Sequence, residues 1–101
     1  MPEFVRVASV GEIPAGTGKA LNANGRPVAL FNVGGSFHAI DGTCPHQGGP
    51  LGEGYLKGTV VTCPFHFWQF DVVTGQAPDF PQASIARFRV KVEGDEILVE
   101  V

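Results

Sequence analysis

Hydrophobic and polar positions alternate most clearly near the C-terminus. Phe88, Val90 and Val92 interleave with Arg87, Arg89, Lys91 and Glu93, the period-2 pattern of a strand with one wet face. Gly94-Asp95 matches the twist of a two-residue hairpin turn, and Ile97, Val99 and Val101 resume the alternation. A second hairpin is predicted from Val28 to Val33 and Ser36 to Ile40, joined at Gly34-Gly35. Phe4 to Ala8 and Gly18 to Asn22 read as shorter strands. Val60 to Thr62 and Phe70 to Val73 complete the set, with Lys57-Gly58 and Thr74-Gly75 as turns. No repeat or low-complexity segment interrupts the series. The pattern predicts a small antiparallel all-β protein.

Two segments fall outside this pattern. Between Gly42 and Gly54, seven of thirteen residues are Gly or Pro, so a loop is expected. Long loops in small domains usually carry function. Pro78-Asp79-Phe80-Pro81 reads as a second rigid, extended segment. Gly11 to Gly18 is glycine-rich but lacks the residue order of a phosphate-binding loop.

Composition narrows the choice. The chain has 101 residues, enough for one domain. Its 14 Gly and 8 Pro argue against a helical bundle. Charged residues are 17% and hydrophobic ones 44%, so a core is expected. A net charge of −3 argues against nucleic-acid or anionic-membrane partners. No run approaches the roughly 20 apolar residues of a spanning helix. Met1-Pro2-Glu3-Phe4 does not begin a signal peptide, so a cytoplasmic location is expected.

The chemistry concentrates in two short motifs. Both cysteines and two of the three histidines lie in Cys44-Pro45-His46 and Cys63-Pro64-Phe65-His66, 16 residues apart. Each motif offers a thiolate and an imidazole, ligands suited to zinc, iron and iron–sulfur clusters. A disulfide between Cys44 and Cys63 is the plain alternative. A closed zinc site is another, although zinc fingers usually pair Cys with Cys and His with His. Mixed pairs suit a two-iron cluster in which each loop gives one ligand to each iron.

Cys44-Pro-His46-Gln-Gly48-Gly-Pro-Leu51, followed by Cys63-Pro-Phe-His66-Phe-Trp-Gln-Phe70-Asp-Val-Val-Thr-Gly75, resembles the Rieske 2Fe–2S signature. The resemblance extends from about Phe37 to Pro81. In size and flanking strands the whole chain resembles a free-standing Rieske-type ferredoxin. It implies an antiparallel Rieske-type sandwich or barrel with two cluster-binding loops at one tip. Residues 1–101 would form a single domain, with a basal part of about 1–42 and 82–101 and a cluster-binding part of about 43–81. Cys44 and Cys63 would bind one iron of a single 2Fe–2S cluster, and His46 and His66 the other. Pro78 to Pro81 would be the proline-rich loop covering the cluster. Phe67 stands where many family members carry Gly.

With two thiolates and two neutral imidazoles, the oxidised centre is neutral and accepts an electron more readily than a four-thiolate centre. The high-potential branch of the family carries Ser two residues and Tyr four residues after the second His. Here these are Trp68 and Phe70, which supply no hydroxyl to the cluster sulfurs. The midpoint is therefore expected at the low end of the Rieske range of about −150 to +300 mV. Imidazole ligation also implies a potential that falls at alkaline pH.

The resemblance implies a one-electron carrier, itself not an enzyme and without a small-molecule substrate. Its partners would be a flavin-dependent ferredoxin reductase and the terminal Rieske non-haem iron oxygenase of an aromatic hydrocarbon catabolic system. The chain cannot itself be the oxygenase, because a 2-His-1-carboxylate iron site needs two more His and only His38 is left. The alternatives are a Rieske small subunit of another redox complex, such as nitrite reductase, and a structural zinc module. His38 is expected to be a surface or packing residue and Phe70 a core residue. Phe65, Phe67 and Trp68 are candidates for an apolar shell that excludes water. Leu51 is a candidate cap over the cluster. Asp41 and Asp71 are expected at turns and strand ends.

Overall fold

The run Val28-Ala29-Leu30-Phe31 has no polar position, and the fold explains why. In the computed structural model, which describes residues 3–43, 50–65, 67–78 and 80–101 (backbone alone for 80–82), this run lies in a strand buried on both faces. The strands in chain order are β1 Phe4–Ser9, β2 Gly18–Ala23, β3 Arg26–Val33, β4 Ser36–Asp41, β5 Tyr55–Lys57, β6 Val60–Thr62, β7 Gln69–Asp71, β8 Gln76–Ala77, β9 Phe80–Ser84, β10 Arg87–Phe88, β11 Val90–Glu93 and β12 Glu96–Glu100. All strand pairings among the described residues are antiparallel. The described residues hold two 3₁₀ turns, Val10–Glu12 and Leu51–Glu53, and no α-helix. None of their helices is long and apolar enough to cross a membrane.

The central sheet runs β10-β4-β3-β2. One face contributes Ala29, Phe31 and Ile40 to a core shared with Leu51, Val61, Cys63, Phe70, Val72 and Ala77. The other contributes Val28, Leu30 and Ala39 to a second core with Ile97 and Val99 of β12, in the sheet β1-β12-β11. Alternation along β3 thus feeds two cores at once. Buried Asn32 joins the layers to the loops: its Nδ2 donates to Ile13 O at 2.8 Å, and its Oδ1 accepts from Gly35 N at 2.8 Å. At the surface, the Ser9 N–H and the Lys19 ammonium hold the Glu12 carboxyl below its ordinary pKa.

Several boundaries differ from the sequence pattern. The alternation from Phe88 to Val92 is not one strand. Arg87–Phe88 extends the central sheet beside Ile40 and Ala39, whereas Val90–Glu93 pairs with β12. The chain changes sheets at Arg89, whose carbonyl still accepts from Glu100 N at 2.9 Å. Both sheets offer the same alternation, so periodicity does not mark the crossing. The strand beginning near Phe70 stops at Asp71 rather than Val73. There Asp71 Oδ1 accepts from Val73 N and Thr74 N at 2.8 and 3.2 Å, and its carbonyl accepts from Gly75 N, folding the chain into a turn. Lys57 is in β5, and the turn lies at Gly58-Thr59. Strands β5, β8 and β9 were not in the pattern, being short or interrupted by Pro. Phe80 and Pro81 are extended, as expected, while Pro78 lies in the preceding turn and Asp79 is outside the described residues.

Candidate metal centre

The first motif loop springs from a clamped neck. Beyond β4, Thr43 N donates to Asp41 Oδ1 at 3.0 Å, and Thr43 bridges Pro50. Leu51 N donates to Gly42 O at 3.0 Å, and Gly42 N to Pro27 O at 3.1 Å. Two glycines seat this neck on the central sheet. A Cβ at Gly42 would lie 2.8 Å from the Pro27–Val28 peptide, and one at Gly52 would lie 2.4 Å from Ala20 N. Between these contacts Leu51 is fully buried in the core that also holds Cys63.

The second loop is closed at its base. Cys63 follows β6, is fully buried, and donates its N–H to Trp68 O at 2.7 Å. Thr62 pairs with Tyr55 on one side and Gln69 on the other, where Gln69 Nε2 donates to Thr62 Oγ1 at 3.2 Å. Trp68 is half-buried against the core, its ring centroid 6.4 Å from that of Phe70. Phe65 and Phe67, by contrast, stand 50% and 70% exposed. Phe67 also has φ +60°, in the left-handed region. There Cβ crowds the following carbonyl, at about 1–2 kcal/mol for any residue but Gly. That explains why Gly suits the position after the second His.

Of the expected ligands, Cys63 lies at the base of its loop, within the core. Cys44, His46 and His66 lie outside the described residues. Both loop necks rise from the same end of the molecule, since Leu51 and Cys63 share one core and Tyr55 pairs with Thr62. Pro78 lines a groove with Tyr55, Thr62 and Gln69, which places the start of the 78–81 segment beside the second loop. Among the described residues no three His, Cys, Asp or Glu side chains gather. A soft thiolate donor held at the base of one closed loop, with the neck of the other Cys/His loop on the same core, fits a group gripped between two loops.

Other expectations are settled by position. His38 is half-buried in β4, beside Val72, Val73 and Arg87 in a surface cavity apart from the loops. Phe70 is core, and Asp41 and Asp71 cap turns. Among the described residues, Phe65 and Phe67 are exposed rather than packed over Cys63, and the fully buried Leu51, Val61 and Phe70 share its core. In the sequence, Gly42, Gly52 and Gly54 read only as loop breakers. Their role as contact points has no sign in the sequence beyond the residue type itself.

Comparison with known proteins agrees with the geometry. Residues 3–97 match the Rieske [2Fe-2S] domain. The ferredoxin component of biphenyl 2,3-dioxygenase from Rhodococcus jostii (strain RHA1) is 38% identical over 99 residues, 97% of this chain and 92% of that protein. The ferredoxin in a solved complex of reduced oxygenase and oxidised ferredoxin of carbazole 1,9a-dioxygenase superposes with TM-score 0.86 at 35% identity, covering 95% of this chain and 91% of that one. A Mycobacterium tuberculosis protein described as an NADH-dependent nitrite reductase small subunit superposes with TM-score 0.90 over 100% of this chain and 96% of that one. At 23% identity this likeness speaks for the fold alone. A Rieske cluster is the cofactor such a domain implies, which sets aside the zinc module. By the match over almost its whole length, the chain belongs to the Rieske [2Fe-2S] family.

Proposed function

We propose that this chain is the ferredoxin component of an aromatic-ring dioxygenase system. It takes one electron from a flavin-dependent ferredoxin reductase and delivers it to the terminal Rieske non-haem iron oxygenase, in the cytoplasm. The observation that carries this reading is the near full-length match to stand-alone ferredoxin components, at 38% identity in the biphenyl case. The chain transforms no substrate itself.

Cys44 and Cys63 are assigned to one iron, and His46 and His66 to the other. When bound, the cluster supplies one-electron chemistry at a potential raised by imidazole ligation. The chain's own residues set its surroundings. Leu51, Val61 and Phe70 keep water from the Cys63 side. The residues on either side of His66 are exposed, so that flank is the one a partner reaches. The two cores on opposite faces of the central sheet support a basal part of about residues 1–42 and 82–101 and a cluster-binding part of about 43–81.

Anaerobically purified protein is expected to be brown and to contain iron and acid-labile sulfide in equal amounts. It should be EPR-silent when oxidised and give a signal on reduction, with a midpoint at the low end of about −150 to +300 mV. A colourless preparation holding one zinc per chain would refute the assignment. A large subunit that co-purifies stably would replace the carrier with a small-subunit role.

A further inference from the structure

Phe67 is costly to this chain in two ways. Its backbone is left-handed at φ +60°, where Gly alone is unstrained. The residue is 70% exposed, so burial within the chain offsets little of that strain. Phe65, two residues away on the same loop, is 50% exposed. Large apolar side chains exposed together on one loop mark an interaction site.

The charge pattern says what kind of surface would receive them. No Asp, Glu, Lys or Arg occurs from Val60 to Phe70, so the loop that carries both rings holds no charged side chain, and in the first loop the only one is the exposed Glu53. A basic or acidic partner face would find no charged side chain to pair with on the loop of Phe65 and Phe67. An apolar socket would desolvate both rings, as buried aromatic anchors do at interface hot spots. Two rings on a small loop also suit a carrier that must leave after each delivery, because small interfaces are typical of transient electron-transfer encounters.

We propose that Phe67, together with Phe65, is a docking knob that enters an apolar socket on the terminal oxygenase, in an association held by apolar contact rather than by charge. The proposal rests on the carrier reading above. The oxygenase is the chosen partner because an oxygenase–ferredoxin complex exists for a relative that covers 95% of this chain. Association with the oxygenase relieves the exposure of Phe67, while the backbone strain remains in the free and bound states alike.

The test uses the cluster-loaded protein and Phe67→Gly, Phe67→Ala and Val92→Ala variants. Val92, 46% exposed on β11, is an apolar control in the sheet β1-β12-β11, away from the loops. Each protein is reduced with dithionite, bypassing the reductase, and mixed in stopped flow with the oxidised terminal oxygenase of the Rhodococcus jostii biphenyl 2,3-dioxygenase system. Both Phe67 variants should keep the wild-type spectrum and midpoint but raise the half-saturating concentration about tenfold, with the saturating rate unchanged. Val92→Ala should match wild type.

Thermal melting separates docking from folding. Phe67→Gly should melt above wild type because its strain is relieved, whereas Phe67→Ala keeps the strain and should not. Raising salt from about 0.05 to 0.5 M should shift the wild-type half-saturation less than about twofold. Wild-type half-saturation in both Phe67 variants would overturn the knob and leave the carrier intact. A steep salt dependence would overturn the apolar association. Failure of the wild-type holoprotein to reduce the oxygenase would overturn the carrier reading, and the knob with it.

Discussion

Cys63→Ser is expected to yield a colourless protein without iron or acid-labile sulfide. Cys63 is fully buried among Phe31, Ile40, Leu51, Val61 and Phe70. A serine there replaces the soft sulfur donor with a hard hydroxyl that binds a cluster iron poorly and leaves a polar group in an apolar setting. In sites of this type metal binding and folding are coupled, so loss of the cluster also loosens the segments that hold it. The loosening should be uneven. The core beneath Leu51 and Cys63 is separate from the one that joins Val28 and Leu30 to β12. Hydrogen exchange should therefore accelerate in β5 to β9 while β1, β11 and β12 stay protected. His46→Ala should also lose the cluster, whereas His38→Ala should keep it. Wild-type iron content in Cys63→Ser would remove Cys63 from the ligand set.

Gly52→Ala is expected to destabilise the chain strongly. The new Cβ would lie 2.4 Å from Ala20 N, 2.5 Å from Ala20 Cα and 2.6 Å from Lys19 C. All three are backbone atoms of a paired strand, so no side chain can swing aside. The first loop's neck must lift from β2, and it draws Leu51 out of the core as it does. Overpacking of this kind costs about 3 kcal/mol. Gly11→Ala is the matched control, because a Cβ there meets nothing within 4 Å and φ is not left-handed. Urea unfolding of the two holoproteins measures the difference. The same displacement moves the loop that carries Cys44 and His46, so the Gly52→Ala midpoint should also shift from wild type. Equal stability of the two variants would show that the neck is not seated as described.

Much of this was legible in the residues. Alternation located β1 to β4, β6 and β12 to within about two residues. It misled where two sheets share one rhythm, at Arg89, and where Asp71 turns the chain with its own carboxylate. It was silent on β5, β8 and β9, because strands of two or three residues, or one carrying Pro, show too few alternations to register. The paired Cys/His motifs were legible for a different reason. Ligand chemistry depends on residue type, and type is what a sequence records.

By itself, the sequence determined the all-β class, the two candidate ligand loops and the absence of charged side chains from Val60 to Phe70, since each follows from residue identity and local spacing. Only the tertiary structure decided that Cys63 is sealed inside a core while Phe65 and Phe67 face solvent, although all three sit within five residues. It alone decided that Gly42 and Gly52 are points of backbone contact and that Phe67 holds a left-handed backbone. Burial and close approach depend on which distant strands arrive at the same place, and that is set by how the layers stack rather than by neighbours along the chain.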